Sequence, residues 1–242
     1  MKNSKKKLFT VALAICLIAI LSFTTLAWFT DSEEITNTFT VGSIVIDQHE
    51  QQYNDQGQLE DFQNNKVLMP IVNTTTPSAD PNYQDKIVTV ENKGNNPAYI
   101  RTSIAVPTTL KGYLELDIND AGRWTAEYVT ENVMIGGVSH TVYTYRFEDI
   151  LGVGETSHQL LKGVYLNADV DVKLNTATGN LEFCKWNATE NRYDFSGFAV
   201  QDSQGTTYQV NVLVATQAVQ SQGFGDVTDA LTSAFGAATP WG

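Results

Sequence analysis

The hydrophobic pattern of this chain has a period of two over most of its length. Apolar and polar side chains alternate cleanly at 143–147, 170–174 and 208–214. Alternation of this kind is typical of β-strands with one buried face. Strands are predicted at 35–41, 43–46, 86–90, 98–106, 113–118, 124–135, 140–147, 163–174, 181–186 and 208–215.

Turn signals separate these strands at short intervals. Gly136-Gly137 predicts a two-residue hairpin turn, and the polar stretch 175–180 predicts a second hairpin loop. Short strands with regular turns favour an all-β fold, closed as a two-layer antiparallel β-sandwich. The polar stretches 48–63 and 73–84 are interpreted as irregular excursions from this sandwich.

The best helix signal lies near the C-terminus. The run 226–235 places its apolar residues on one helical face, with Asp226 at the N-cap position and Gly236 as the C-terminal stop. We therefore expect one short helix after the last strand.

The first 27 residues have the three parts of a secretory signal. A lysine-rich start precedes an apolar run of 11 residues at 11–21, and Thr25 and Ala27 supply small residues before a cleavage point between Ala27 and Trp28. The run is shorter than the ~20 residues of a membrane-spanning helix. We predict a signal peptide at 1–27 and one β-sandwich domain at 28–242; the alternative is that 8–27 is retained as an anchor.

Removal of this segment changes the charge of the protein. The 242-residue chain has 15 basic and 27 acidic groups, a net charge of −12. Residues 1–27 hold four of the lysines and no acidic group, which leaves 11 basic and 27 acidic groups and a net charge of −16. Such an acidic surface argues against binding to nucleic acid, and it opposes self-association except through backbone pairing or apolar burial.

The cysteine count excludes a disulfide framework. Of the two cysteines, Cys16 lies in the signal, so Cys184 is alone in the exported chain. A buried apolar thiol is the favoured interpretation, and an intermolecular disulfide is the alternative.

Motifs for catalysis or metal binding are incomplete. His49-Glu50 begins like a zinc-protease motif, but Tyr53 stands where the second histidine is required. The stretch 117–122 begins like a calcium loop yet lacks its later acidic ligands, and Asp169 and Asp171 suggest a solvated strand face. We therefore predict a protein that is not an enzyme, with no catalytic residues, no cofactor and no metal.

The residues around the cleavage point resemble the TasA/camelysin family of exported bacterial proteins. The segment 26–31 (LAWFTD), followed by 37–39 (NTF) and 41–46 (VGSIVI), matches its cleavage site and first strand. Two later segments, 90–101 (VENKGNNPAYIR) and 214–224 (VATQAVQSQGF), resemble its strand–turn–strand and its C-terminal strand. The middle of the chain, about 108–205, has no such match.

This resemblance implies a jelly-roll-like sandwich that is processed by a SipW-type signal peptidase and forms fibres of the biofilm matrix or cell surface. In such fibres the N-terminal segment of one subunit adds a strand to the next. Residues 28–41 are the candidate donor strand. Its assembly residues are Trp28, Phe29, Ile35, Phe39 and Val41. The alternative is that this strand completes the sandwich of its own chain.

Two further functions stay open at this point. The first is a monomeric cell-surface adhesin or glycan-binding module, with other matrix proteins or a polysaccharide as partner. The second is the metalloendopeptidase activity named by the camelysin label, which the missing zinc motif at His49 disfavours.

Overall fold

The computed structural model describes residues 30–32, 44–64, 66–119 and 121–242. Within these ranges the chain is mostly β, with several antiparallel sheets and one short C-terminal helix, α1 (Val227–Phe235). This confirms the all-β fold class predicted from the period-two pattern. The strands are β1 (Thr30–Ser32), β2 (Ile46–Tyr53), β3 (Leu59–Asp61), β4 (Gln84–Asp85), β5 (Ile87–Asn92), β6 (Ala98–Pro107), β7 (Leu114–Ile118), β8 (Trp124–Ile135), β9 (Val138–Phe147), β10 (Leu161–Leu166), β11 (Val170–Asn175), β12 (Asn180–Asn187), β13 (Arg192–Gln201) and β14 (Leu213–Gln220).

The largest sheet has five antiparallel strands in the order β1-β14-β6-β9-β8. β14 pairs with β6 along its whole length, from Leu213 opposite Ala105 to Gln220 opposite Ala98. β8 and β9 form a hairpin at the predicted Gly136-Gly137 turn, where φ is 57° and 83°. Positive φ at both positions is the geometry that glycine permits in a two-residue hairpin.

Three smaller sheets complete the fold, with strand orders β4-β10-β7, β11-β12-β13 and β3-β2-β5. The predicted hairpin loop at 175–180 joins β11 to β12, and Asn175 lies opposite Asn180 at its base. Phe183 of β12 packs with Leu114 and Leu166 in a local core that ties the β11-β12-β13 sheet to the rest of the chain.

The main core lies between the five-stranded sheet and the strands β2, β5 and β10. Ile100 and Ala218 face it from the large sheet, Val88 and Val90 from β5, and Leu161 from β10. All five side chains are buried. Packing of apolar faces from opposing sheets gives the layered arrangement that the alternating sequence pattern requires.

Helix α1 covers the opposite face of the large sheet. Leu231 of the helix packs against Val219 of β14. The side chain of Asp226 caps the helix by accepting a hydrogen bond from the backbone N–H of Asp229 at 2.9 Å. Gly236 follows the helix with φ of 56°. The predicted helix and both of its boundaries are therefore confirmed.

Three strand predictions have wrong limits. Of the described residues of the strand predicted at 43–46, Ile46 alone belongs to a strand, as the first residue of β2. The stretch predicted as one strand at 163–174 is divided into β10 and β11, because the chain turns at Asn167, whose carbonyl oxygen accepts from the N–H of Val170 at 3.1 Å. The strand predicted at 208–215 begins at Leu213 and continues to Gln220. The alternating side chains before it, such as Val210 and Val212, pack on the core beside strands without forming one.

The interpretation of the polar stretch 48–63 as irregular is wrong, since the stretch contains most of β2 and all of β3. Its polar residues have partners inside the protein. Glu50 forms an ion pair with the buried Lys86, and Gln52 donates to Glu60 at 2.7 Å. The stretch 73–84 does follow an irregular path, with one short 3₁₀ turn at Pro77–Ala79.

The predicted signal peptide lies outside the described residues. Among the residues that are described, no helix is both long enough and apolar enough to cross a membrane.

Candidate functional site at the edge of strand β14

The outer edge of the large sheet is formed where β1 meets β14. The backbone of Thr30–Ser32 pairs antiparallel with β14, with Thr30 opposite Val219 and Ser32 opposite Gln217. This pairing covers three of the eight residues of β14 on that side. Over the described parts of the chain, the other five residues have no strand partner there. Unpaired edge positions are sites at which a further strand can add.

Side chains of β14 are buried on both faces of the large sheet, and this burial holds the backbone of its edge in place. Ala218 faces the main core and Val219 faces helix α1, and both are fully buried. The sequence of β14 produces this arrangement because successive side chains of a strand point to opposite faces. A strand that adds to this edge therefore meets a rigid backbone with a defined register.

Arg101 of β6 holds the helix side of the edge in place. Its Nε donates to Gln217 Oε1 at 2.8 Å, and its two Nη atoms donate to the carbonyl oxygens of Gly236 and Ala238, each at 2.7 Å. The guanidinium also lies 4.9 Å from the centre of the Phe235 ring. Burial lowers the pKa of Arg101. One side chain thus connects β6, β14 and the segment that follows α1.

A carboxamide from β2 contacts the other half of β14. Gln48 Nε2 donates to the carbonyl oxygen of Val214 at 3.2 Å, and its Oε1 accepts from Thr216 Oγ1 at 2.8 Å. Thr216 in turn lies 2.8 Å from Thr102 Oγ1 on β6. The hydrogen bonds of Gln48 join β2 to the large sheet and help to place the β14 backbone.

Most of the predicted assembly segment lies outside the described residues. This applies to the cleavage residue Ala27 and to Trp28, Phe29, Ile35, Phe39 and Val41. Of the candidate donor strand 28–41, the backbone of Thr30–Ser32 is described, and within the single chain it pairs with its own β14.

A second group of polar side chains was missed by the sequence analysis. Asp47 and His49 are two residues apart on β2, and Glu91 of β5 lies directly opposite Asp47. One ligand atom from each lies within 4.8 Å of the other two. The hydrogen bond from Lys93 holds the pKa of Asp47 below its usual value. The signal in the sequence is the Asp-x-His spacing, which places two ligands on one face of a strand.

The carboxylates of the weaker motifs are engaged in ion pairs. Asp117, the first residue of the calcium-like stretch, lies 2.8 Å from Lys162 Nζ. Asp169 and Asp171 each lie 2.7 Å from a lysine on the β11-β12-β13 sheet. Exposed ion pairs of this kind are ordinary features of a protein surface.

Cys184 is buried in β12, with no exposed surface. Its Sγ lies 3.6 Å from the carbonyl oxygen of Asp171. Burial raises the pKa of the thiol. This position fits the buried-thiol interpretation, because an intermolecular disulfide would require the β11–β12 pair to open.

A cleft of about 200 Å³ lies beside Tyr143 and Tyr145 of β9, with Lys111 and Glu115 at its rim. This volume is below the range of about 300–1,000 Å³ that is typical of small-molecule sites. The sheet edge and the Asp47–His49–Glu91 group are therefore the two features with the clearest chemical content.

Comparisons with known proteins add no further identification: no protein-family model, no curated protein and no solved structure matches this chain.

Proposed function

We propose that this protein is an exported structural protein, a subunit of fibres in a biofilm matrix or on a cell surface, related to the TasA/camelysin family. Assembly proceeds by addition of the N-terminal segment of one subunit to β14 of the next. The observation that carries the proposal is the pairing of Thr30–Ser32 with β14, on a side where the described residues supply no other strand partner. No catalytic step and no cofactor are part of this function.

The same backbone pairing can form within one chain or between two chains. In either case main-chain hydrogen bonds supply affinity, and alternate side chains of the added strand select the register. Ile35, Phe39 and Val41 are the apolar side chains that follow the described pairing. Each contributes about 1.5–3 kcal/mol if it becomes fully buried, before the cost of ordering the segment. A donor segment longer than the three paired residues gains stability by extending further along β14.

Deletion of 28–39 tests this proposal most directly. The expected product is a folded monomer that forms no filaments, because the donor segment is gone while the buried apolar residues described above are retained. Filament length is measured by electron microscopy, and folding by circular dichroism. Filaments of unchanged length would contradict the strand-addition mechanism.

A point substitution tests the contribution of one apolar side chain while the rest of the donor segment is kept. Phe39→Asp is expected to reduce polymerisation at least tenfold, because it puts a charge where an apolar side chain is to be buried. Val72→Asp is the matched control, since Val72 is 83% exposed and lies outside the segment. Equal polymerisation of the two variants, measured by sedimentation, is the result that would count against burial of Phe39.

The processing step has its own test. We propose that a SipW-type signal peptidase cleaves after Ala27, which frees Trp28 as the new N-terminus. N-terminal sequencing of the protein recovered from the cell exterior is expected to begin at Trp28, and a start at Met1 would show that the segment is retained.

A second candidate function is a cell-surface module that binds polysaccharide, and one surface feature favours it. Trp186 of β12 is 51% exposed and its ring lies 5.0 Å from that of Tyr193 on β13, centre to centre. Lys173 lies 4.7 Å over the Tyr193 ring. Exposed aromatic rings beside a cation can stack on sugar faces. Retention of monomeric protein on matrix polysaccharide, lost in Trp186→Ala, would favour this function over the fibre subunit.

A further inference from the structure

We infer that Asp47, His49 and Glu91 form a binding site for a divalent transition-metal ion of the Zn²⁺ class. The pairing of two strands creates the site. Asp47 and His49 share one face of β2, and the register of β2 with β5 brings Glu91 beside them. Ligands on paired strands are held by the sheet backbone, so little conformational freedom is lost when an ion binds.

The distances are close to those of a metal site. His49 Nε2 lies 3.2 Å from Glu91 Oε2, and the ligand atoms of all three residues lie within 4.8 Å of one another. Ligands at about 2.0–2.2 Å around a tetrahedral ion are about 3.4 Å apart. The Asp47 and His49 side chains are partly exposed, which leaves them room to adjust to this spacing.

A cation already occupies the position between the carboxylates. Lys93 Nζ lies 2.6 Å from Asp47 Oδ2 and 3.5 Å from Glu91 Oε2. The ammonium group balances part of the negative charge there. A divalent ion would displace this flexible, half-exposed side chain and take its place between the two carboxylates. Lys93 is therefore a competitor that weakens metal binding.

The donor set selects the class of ion. One imidazole nitrogen with two carboxylate oxygens suits Zn²⁺ and its neighbours, with water completing the coordination on the exposed side. Ca²⁺ prefers six to eight oxygen ligands and gains little from an imidazole. The inference concerns binding alone and is independent of fibre assembly and of any hydrolytic activity.

The test is titration of the full chain, free of any polyhistidine tag, with ZnCl₂ in an isothermal calorimeter. His49→Gln is expected to weaken binding about a hundredfold, because it removes the nitrogen ligand. His158→Gln is the matched control, since His158 is exposed and belongs to no such group. Thermal unfolding of the metal-free variants shows that each is folded. Zn²⁺ binding that is absent in the parent protein, or equal in both variants, would overturn the inference.

The position of the ion is tested separately by Lys93→Gln. Removal of the competing ammonium is expected to tighten Zn²⁺ binding by about tenfold, because a positive charge within hydrogen-bond distance of both carboxylates is lost. Unchanged or weaker binding would overturn the assignment of the ion to the ammonium position. Titration with CaCl₂ is expected to give no response that depends on His49, and a response that does would overturn the choice of ion class.

Discussion

At the scale of single residues, Arg101 has the largest structural role of any charged side chain described above. It is 1% exposed, and its donors satisfy three oxygens on β14 and after helix α1. A buried charge is tolerated when its donors are all used, but the acceptors become costly if the charge is removed. Arg101 is also the last residue of the 90–101 segment, on which the family resemblance partly depends. One function of that segment is therefore to supply the side chain that holds the β14 edge.

Substitution of Arg101 by methionine is expected to destabilise the protein by about 2–4 kcal/mol, because three oxygen acceptors, that of the buried Gln217 among them, lose a charged donor. Urea denaturation measures this loss. Arg192→Met is the matched control, since Arg192 is highly exposed and its replacement is expected to change stability by less than about 0.5 kcal/mol. If the two variants lose equal stability, Arg101 does not anchor the edge and the helix.

Cys184 gives a second prediction at this scale. Since its thiol is buried and its pKa is raised, it is expected to react with a thiol reagent such as DTNB at least a hundredfold more slowly in the native protein than in urea. The absorbance of the released thiolate follows the reaction. A dimer that appears on gels without reductant and disappears with it would instead support the intermolecular disulfide.

At the scale of elements, a single carboxylate organises the irregular path between β3 and β4. Asp80 accepts hydrogen bonds from the backbone N–H groups of Val72 and Asn73 at 2.6 Å and of Asn82 at 2.8 Å. These donors hold the pKa of Asp80 below its usual value. A segment without regular hydrogen bonds is thereby fixed beside the core.

This arrangement predicts a pH dependence of known sign. Because the folded-state pKa of Asp80 is below its unfolded value of about 3.9, its contribution to stability is present above that pH and is lost as the pH falls through the folded-state pKa. Asp80→Asn is expected to lower the melting temperature at pH 7. The difference from the parent protein is expected to shrink as the pH falls below about 4. A difference that is constant over this range would exclude the charged acceptor as its cause.

The sequence predicts strands well where apolar side chains alternate. It predicts them poorly where strand pairing or a β-bulge determines the limits of a strand. The β8–β9 hairpin and α1 are predicted because glycine and capping residues mark their ends. β13 is missed because its apolar side chains do not alternate cleanly around Gly197, where φ is 80° and the register with β12 shifts. Asp47 and Glu91 are more than 40 positions apart in the sequence, so only the register of β2 with β5 reveals that they are neighbours. The edge of β14 likewise depends on strand order, which side-chain periodicity does not encode.

At the scale of the whole molecule, charge sets the conditions for the assembly proposed above. The chain after residue 27 has a net charge of −16, so subunits repel one another as they approach. Backbone pairing at β14 acts over short distances, whereas this repulsion acts over about the Debye length, roughly 30 Å at 0.01 M salt and 8 Å at 0.15 M. Salt therefore lowers the barrier to association without weakening the strand pairing.

Fibre growth is accordingly expected to accelerate by about tenfold or more when NaCl is raised from 10 to 300 mM at fixed protein concentration. Light scattering measures the rate, and circular dichroism in the same buffers shows that the fold is unchanged. Growth that slows with salt would indicate that attraction between opposite charges, and not strand addition, drives association.

The pairing of Thr30–Ser32 with β14 of the same chain also has a kinetic consequence. A tethered strand is present at its binding site at an effective concentration on the order of millimolar. The N-terminal segment of another subunit must therefore compete with the chain's own segment for the edge of β14. Exchange becomes favourable when subunits are concentrated, or when an existing fibre end offers an empty edge. If fibres grow by strand addition, the N-terminal segment of each subunit therefore inhibits its own assembly. Dilute subunits are then expected to remain monomeric. Polymerisation is expected to begin after a lag, and preformed fibre ends are expected to remove that lag.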